Sequence, residues 1–381
     1  MRVLLASHTY TVGANRAKIN ALAEHANVDL RLVVPRSWPH PLGTFRADHQ
    51  QQVHYALLPL STLLAGNETR YIFFPDITGG LRTFRPDIIH IEQGPWALVH
   101  AQIILAKKVL APRARVIFFT WLNQDYYLSR RARTVERFNF RNSDWAIAGN
   151  REGASLLRKH GFAHPVSVLP QTGVDPAIYR PTGSPALRAE LQLNHGTNIG
   201  FAGRIEPEKG VETLLEAFAS LDLTSSLIFI GDGSHRAVLA QKAAALQVAD
   251  RVRFLGVVSH TEMPDYINLL DVLVLPSTTT AYWKEQFGRV LIEAMACGIP
   301  TVGSDSGEIP HVIGDAGLIF PEGDQDALSD ILLRLLVNPL LRADLARRGR
   351  ERVMQRFTNQ RIAEDTYQIY CELLSRSTRH V

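Results

Sequence analysis

Along most of its length this chain alternates short apolar runs, bounded by turn residues, with longer stretches of helical periodicity. That alternation constrains the fold more than composition does, because it builds βα units and therefore parallel sheets. In the first half the pattern predicts strands at Arg2–Ser7, Val28–Val34, Val53–Pro59, Asp87–Glu92, Ala114–Thr120, Asp144–Ala148 and Val166–Leu169. In the second half it predicts Asn198–Ala202, Ser226–Gly231, Val252–Leu255, Val272–Leu275, Thr301–Gly303 and Leu318–Phe320. Between the halves, Pro170 to Pro185 carries four prolines and two glycines and cannot continue either kind of element.

With 381 residues the chain is long for one core and fits two domains. The pattern divides it into a first domain at 1–170, a hinge at 171–185, a second domain at 186–357 and a terminal helical segment at 358–381. Both domains read as doubly wound α/β units, in which ligands bind at the carboxyl ends of the strands. The cleft between two such domains is the expected site.

A net charge of +4 with 20% charged residues suits anionic ligands or membrane surfaces and is far from a nucleic-acid-binding composition. Cys297 and Cys371 lie far apart in helical patterns, which fits a reduced cytosol better than a disulfide framework. The opening MRVLLASHTY is too short an apolar run for a signal peptide and reads as a buried strand. No stretch approaches the ~18–20 apolar residues of a membrane span. A cytoplasmic protein is expected, with contact at the inner face of the membrane left open.

Two places carry candidate chemistry. In FAGRIEPEKGVETLLEAF, Arg204 and Lys209 sit on a turn and at a helix start, where two cations and backbone N–H groups suit a diphosphate. A merely solvated basic turn is the alternative, with Glu206 and Glu208 close by. In EQFGRVLIEAMACG, Glu285 and Glu293 bracket a helix start, with Phe287, Gly288 and Arg289 between them. Glu293 falls among apolar neighbours, and a lone buried carboxylate is costly unless something binds it. A ribose diol offers two donors to such a pure acceptor. The acids therefore suit sugar rings and the cations phosphates.

These motifs, with FLGVVS, LPS, GIPTVGSDSGEIPHVI and GLIFPEGD in order and spacing, resemble the donor domain of the retaining GT-B glycosyltransferases of family four, over about Asn198 to Gln325. The first half matches more loosely, through its βα order and VLPQTGVDPAIYRP. The resemblance implies a GT-B fold of two facing Rossmann-like domains, with a terminal helix crossing back to the first. It implies that Arg204 and Lys209 bind the donor diphosphate and Glu293 the ribose hydroxyls. Glu285 would face the transferred sugar, with Phe287, Gly288, Arg289 and Val290 along sugar and phosphate, and Gly256, Val257 and Val258 near the base. Arg204, Lys209 and Glu285 become the candidate catalytic residues. The implied reaction is sugar transfer from a nucleoside diphosphate sugar to an acceptor hydroxyl of a polysaccharide, glycolipid or lipid-linked glycan, with no metal and no cofactor.

Two features of the first domain depart from the commonest family pattern. After the first strand the chain reads Thr11-Val12-Gly13-Ala14-Asn15-Arg16, so close backbone approach to a phosphate is open only near Gly13. Where many members carry a histidine, this chain has FFTWLNQDYY, which leaves Asn123 or Gln124 to bond sugar or acceptor. Asn123, Glu92, Asn15 and Arg16 are the acceptor-side candidates; a solvated strand-end acid is the plainer reading of Glu92. His8, His90 and His100 are available, although single histidines at strand ends are more often structural. The loops Arg36–His49 and Ser61–Arg70 are expected to choose the acceptor.

Asp324-Gln325-Asp326 precedes a helical pattern and reads as a cap rather than a metal site. Arg130 to Arg141 holds five arginines against one acid, with Val135, Phe138 and Phe140 interleaved. That helix is either a solvated face or a basic surface for anionic lipid or a pyrophosphate-bearing acceptor. Two alternatives keep the fold: a sugar-nucleotide epimerase or hydrolase, and a nucleotide-sugar-binding subunit without catalysis. A dinucleotide dehydrogenase is disfavoured, because no GxGxxG follows the first strand.

Overall fold

The computed structural model describes residues 1–40, 43–48, 53–74, 77–193, 196–221 and 224–377. The chain forms two compact units, Met1–Thr172 with Asn359–Val381, and Gly173–Thr358.

The first unit contains β1 (Arg2–Ala6), β2 (Asp29–Pro35), β3 (Ser37–His40), β4 (Gly43–Arg46), β5 (Tyr55–Leu60), β6 (Thr62–Leu63) and β7 (Ile72–Phe73). It continues with β8 (Ile88–Glu92), β9 (Arg115–Thr120), β10 (Trp145–Ala148) and β11 (Val166–Val168). Seven of these make one sheet in the order β11-β10-β9-β8-β1-β2-β5, every pairing parallel. Helices cover both faces, so the strands are apolar throughout rather than alternating. Val3, Leu4 and Leu5 of β1 are wholly buried, and each such side chain contributes roughly 1.5–3 kcal/mol.

Two antiparallel hairpins, β3 with β4 and β6 with β7, extend beyond the sheet where the sequence pattern predicts loops. Their strands are short and partly exposed, so neither shows an apolar run. Within the expected acceptor loops, Pro41, Leu42 and His49 lie outside the described residues. The last helix, Asn359–Ser377, belongs to this unit. Its Ile362, Ala363, Ile369, Tyr370 and Leu373 share a core with Val3, Leu5, Ile19 and Leu22.

The second unit contains β12 (Thr197–Ala202), β13 (Ser225–Ile230), β14 (Val252–Gly256), β15 (Val272–Leu275), β16 (Thr301–Ser304) and β17 (Leu318–Phe320). They form a parallel sheet in the order β14-β13-β12-β15-β16-β17. From Gly173 onward the proline-rich segment packs into this unit. Val174 N donates to Phe357 O at 2.9 Å, and Thr182 N to Asn268 Oδ1 at 2.9 Å. Asn268 Nδ2 returns a bond to Arg180 O at 3.0 Å, and Tyr179 is buried.

Candidate functional site

In the second unit the loops after β12, β14 and β15 carry the sequence-predicted donor residues. β12 ends at Ala202, and the chain then turns through Arg204 and the short 3₁₀ turn Pro207–Lys209 to Gly210. Gly210 has φ +65°, and a Cβ there would stand 1.8 Å from Pro276 O. Only glycine lets the turn approach β15's exit so closely. Lys209 is thereby carried to Glu285, Nζ to Oε2 at 2.7 Å. Ser277 Oγ donates to the same oxygen at 3.0 Å, and the Trp283 ring lies 4.4 Å from Lys209 Nζ.

Glu285 leads through buried Phe287 and Gly288 into the helix Arg289–Ala296. Gly288 has φ +78°, and a Cβ there would meet Leu275 and Leu291. Leu291 N bonds Gly288 O, so the N–H groups of Arg289 and Val290 head the helix, where an anion is favoured. Phe287 packs edge-on against Phe357, with ring centroids 5.8 Å apart. Behind the loop, Thr279 Oγ1 donates to Glu322 Oε1 at 2.6 Å, and Ser304 Oγ donates to Ser277 O.

Glu293 sits one turn deeper and is not the lone carboxylate that its apolar neighbours suggest. Arg289, four residues earlier, places Nε 2.9 Å from Glu293 Oε1. Burial still dominates: it pushes the Glu293 carboxyl above the usual carboxylate range, with Arg289 opposing. Burial, reinforced by Glu293, raises the nearby Tyr179 phenol as well. Arg289 Nη2 also lies 3.4 Å from His260 Nε2. Val257 follows Gly256 at the end of β14 and is 80% exposed, an apolar surface open to a ligand. Arg204 is exposed with Glu206 beside it. Ser277, Trp283, Tyr179 and His260 escaped the sequence reading; only Ser277, in LPS, lay within a quoted donor motif.

In the first unit the acceptor-side candidates have mostly internal partners. Arg16 is wholly buried: Nε donates to Tyr10 O at 2.6 Å, Nη1 to Asp48 O at 2.7 Å and Nη2 to Thr11 O at 2.9 Å. A Cβ on Gly13 would stand 2.4 Å from Asp48 Oδ2, so the glycine makes room for that side chain. Asn15 Nδ2 donates to Thr9 O at 3.0 Å. Glu92 is not a solvated acid. Its buried carboxylate meets Lys18 Nζ at 2.6 Å and Gln171 Nε2 at 2.7 Å. Burial works to raise its pKa, but Lys18 and the hydrogen bonds outweigh it and hold the carboxyl below the ordinary range. Asn123 is buried after β9.

His90 and His100 are buried as well, and burial lowers them to about 4 and about 3. His90 Nδ1 lies 2.7 Å from Tyr370 Oη, and His100 Nε2 lies 3.2 Å from Ser143 Oγ. His8 differs. Its ring lies tilted against Trp38 of β3, with ring centroids 4.7 Å apart, and faces Glu68 at 3.5 Å and Gln93. The two loops expected to choose the acceptor thus converge on one mostly shielded histidine, a grouping that sequence separation hides.

Asp324 Oδ1 accepts from Ala327 N at 2.9 Å, capping the helix Gln325–Val337. The helix Arg130–Arg141 leaves Arg130, Arg131, Arg133, Arg137 and Arg141 exposed, while Phe140 enters the core. Among the described residues no helix is long and apolar enough to cross a membrane.

Residues 184–352 match the family described as Glycosyl transferases group 1. N-acetyl-alpha-D-glucosaminyl L-malate synthase of Bacillus anthracis is 28% identical over 303 residues, covering 76% of this chain and 75% of that protein. Glycogen synthase of Mycobacterium tuberculosis is 29% identical over 309 residues, covering 76% and 69%. Among solved structures, sucrose-phosphate synthase from Thermosynechococcus elongatus superposes with a TM-score of 0.75 at 22% identity, covering 99% of this chain and 100% of that one. Anabaena HepE in complex with UDP gives 0.75 at 19% identity, covering 97% and 99%. The second unit thus carries a sequence similar to the group 1 glycosyltransferases over residues 184–352, and the two parallel-sheet units have the GT-B fold of the superposed structures.

Proposed function

We propose that the chain moves a hexose-type sugar from a nucleoside diphosphate sugar to an acceptor hydroxyl with retention of configuration, in the synthesis of a polysaccharide, glycolipid or lipid-linked glycan. The observation that carries this reading is the convergence of Lys209, Glu285 and Glu293 at the Gly288 helix start. Glu293 takes the ribose hydroxyls, which replace or share its contact with Arg289. Glu285 takes hydroxyls of the transferred sugar, and Val257 faces the base.

Charge develops on the leaving diphosphate in the transition state. Arg204, Lys209 and the helix N-terminus meet it without reorganising, which is where such groups are most effective. The leaving phosphate accepts the acceptor's proton on the same face. Side-chain cations supply the positive charge, so the proposal includes no metal cofactor. Nothing in this scheme uses Glu285 as a covalent nucleophile, because its carboxylate is already bound by Lys209 and Ser277. The exposed arginines of Arg130–Arg141 suit anionic lipid at the inner face of the membrane.

A thermal-shift panel of UDP, GDP, ADP and their sugars tests the donor site. A nucleotide at ~100 times its dissociation constant adds about 2.7 kcal/mol of stability. Absence of a shift with every nucleotide would overturn the reading.

A further inference from the structure

The amino ends of the central strands of the first unit carry a cavity of about 730 Å³ that the sugar-transfer scheme does not use. Its lining includes Arg2, Arg85, Asp87, Arg113, Arg115 and Leu374. Arg2 opens β1, Asp87 precedes β8 and Arg115 opens β9, so the cavity lies at the sheet edge opposite His8 and Glu92. Its volume falls within the range of small-ligand pockets.

The four guanidinium groups are not equivalent. Arg2 Nη2 pairs with Asp87 Oδ1 at 3.1 Å, and Arg115 Nη1 pairs with Asp144 Oδ1 at 2.8 Å. Arg85 and Arg113 have no carboxylate partner among the described residues. Two positive charges are therefore left over at one mouth. A phosphate monoester carries about −1.5 to −2 at pH 7, with oxygens that guanidinium forks fit.

The backbone at Arg85 adds an independent argument. Arg85 has φ +48° and closes the helix Ile77–Phe84 through a bond from its N to Leu81 O at 3.0 Å. A glycine adopts that left-handed conformation at no steric cost, and asparagine at little. A cation beyond a helix C-terminus gains no more than the strain of a non-glycine residue there costs. Arg85 thus holds a position that favours glycine or asparagine, and it brings a side chain to the cavity lining there. Leu110, Ala111 and Leu374 supply an apolar wall beside the charges.

We infer that this cavity is a binding site for a small phosphate monoester, held by Arg85 and Arg113 against the apolar wall and separate from the donor site. Phosphorylated sugars have this chemistry, and so does an anionic lipid headgroup.

Isothermal titration of the full chain at low salt tests it, with glucose 6-phosphate as probe and glucose as the neutral control. Saturable binding of glucose 6-phosphate and none of glucose is expected. Arg85→Gly and Arg113→Gln should each weaken binding about tenfold or more, the loss of one charge-assisted contact. Arg85→Gly also relieves the strained backbone, so its melting temperature should not fall, and a loss of binding cannot then be ascribed to unfolding. The UDP thermal shift should be unchanged in both variants. Vesicles containing phosphatidic acid form a second arm: binding to them alone, with the same dependence on Arg85 and Arg113, keeps the phosphate chemistry and assigns the headgroup as its source. Failure of both probes, or binding indifferent to both substitutions, overturns the inference.

Discussion

Lys209 Nζ and Glu285 Oε2 stand 2.7 Å apart, in a contact that joins the loop after β12 to the loop after β15. The cation suited to a phosphate and the acid suited to a sugar thus hold one another before any donor is present. Both side chains are mostly shielded, and breaking a buried pair by removing one partner costs roughly 3–5 kcal/mol. Lys209→Met and Glu285→Gln should each destabilise the chain at the lower end of that range or below. The double variant should be less destabilised than the sum, and chemical denaturation across the cycle reads the coupling. Turnover of Lys209→Ala should fall on the order of 10²–10³. Nearly unchanged turnover would remove Lys209 from the donor site.

Glu293 gives a pH signature. Its folded carboxyl holds a proton more tightly than an unfolded one, chiefly through burial. Its contribution therefore favours the fold below the ordinary carboxylate range and is lost as pH rises through the raised folded value. Glu293→Gln should melt higher than the parent chain above that value and converge with it on acidification. Nucleotide affinity should fall in the same variant. A melting difference that is flat with pH would contradict the burial effect.

The buried histidines act in the opposite sense. His90 is lowered from 6.5 to about 4, so its contribution is complete above pH 6.5 and is lost as pH falls toward and through 4. It should account for roughly 3 kcal/mol of lost stability between pH 7 and pH 4. His100 adds to the same acid limb. Denaturant titrations of His90→Asn should show a flatter acid limb; an unchanged one would mean that His90 keeps its ordinary pKa.

The basic helix is tested by reversing its charge. Arg130→Glu, Arg131→Glu and Arg133→Glu together should abolish sedimentation with anionic vesicles, since each basic residue near such a surface contributes about 1 kcal/mol. These side chains are exposed and the fold should survive the change. Equal sedimentation of the triple variant would leave the helix a solvated face.

Both sheets were legible in the sequence because parallel strands buried on two faces read as plain apolar runs. Glu293 was legible because a charge in VLIEAMACG conflicts with its neighbours. Arg289 sits four residues before Glu293, and i,i+4 pairing could have revealed it as the partner. What stayed hidden depends on contacts across long sequence separation. Lys18 neutralises Glu92 from a helix 74 positions earlier, and nothing local to DIIHIE signals it. Arg16 looks like a ligand-facing cation until Asp48 closes over it. Trp38, between Ser37 and Pro39, gives no strand signal, yet its hairpin brings it against His8.

The helix Asn359–Ser377 sets the order in which this protein can assemble. Tyr370 bonds His90 of β8, and Ile362 and Leu373 fill the same core as Val3 and Leu5, so the first unit needs residues made after the whole second unit. A nascent chain has the whole sheet of the first unit while still lacking part of its core. The second unit, continuous from Gly173 to Thr358, is complete before that helix leaves the ribosome. Synthesis therefore runs against the usual N-terminal-first order of domain folding, and the unit begun first is the one finished last.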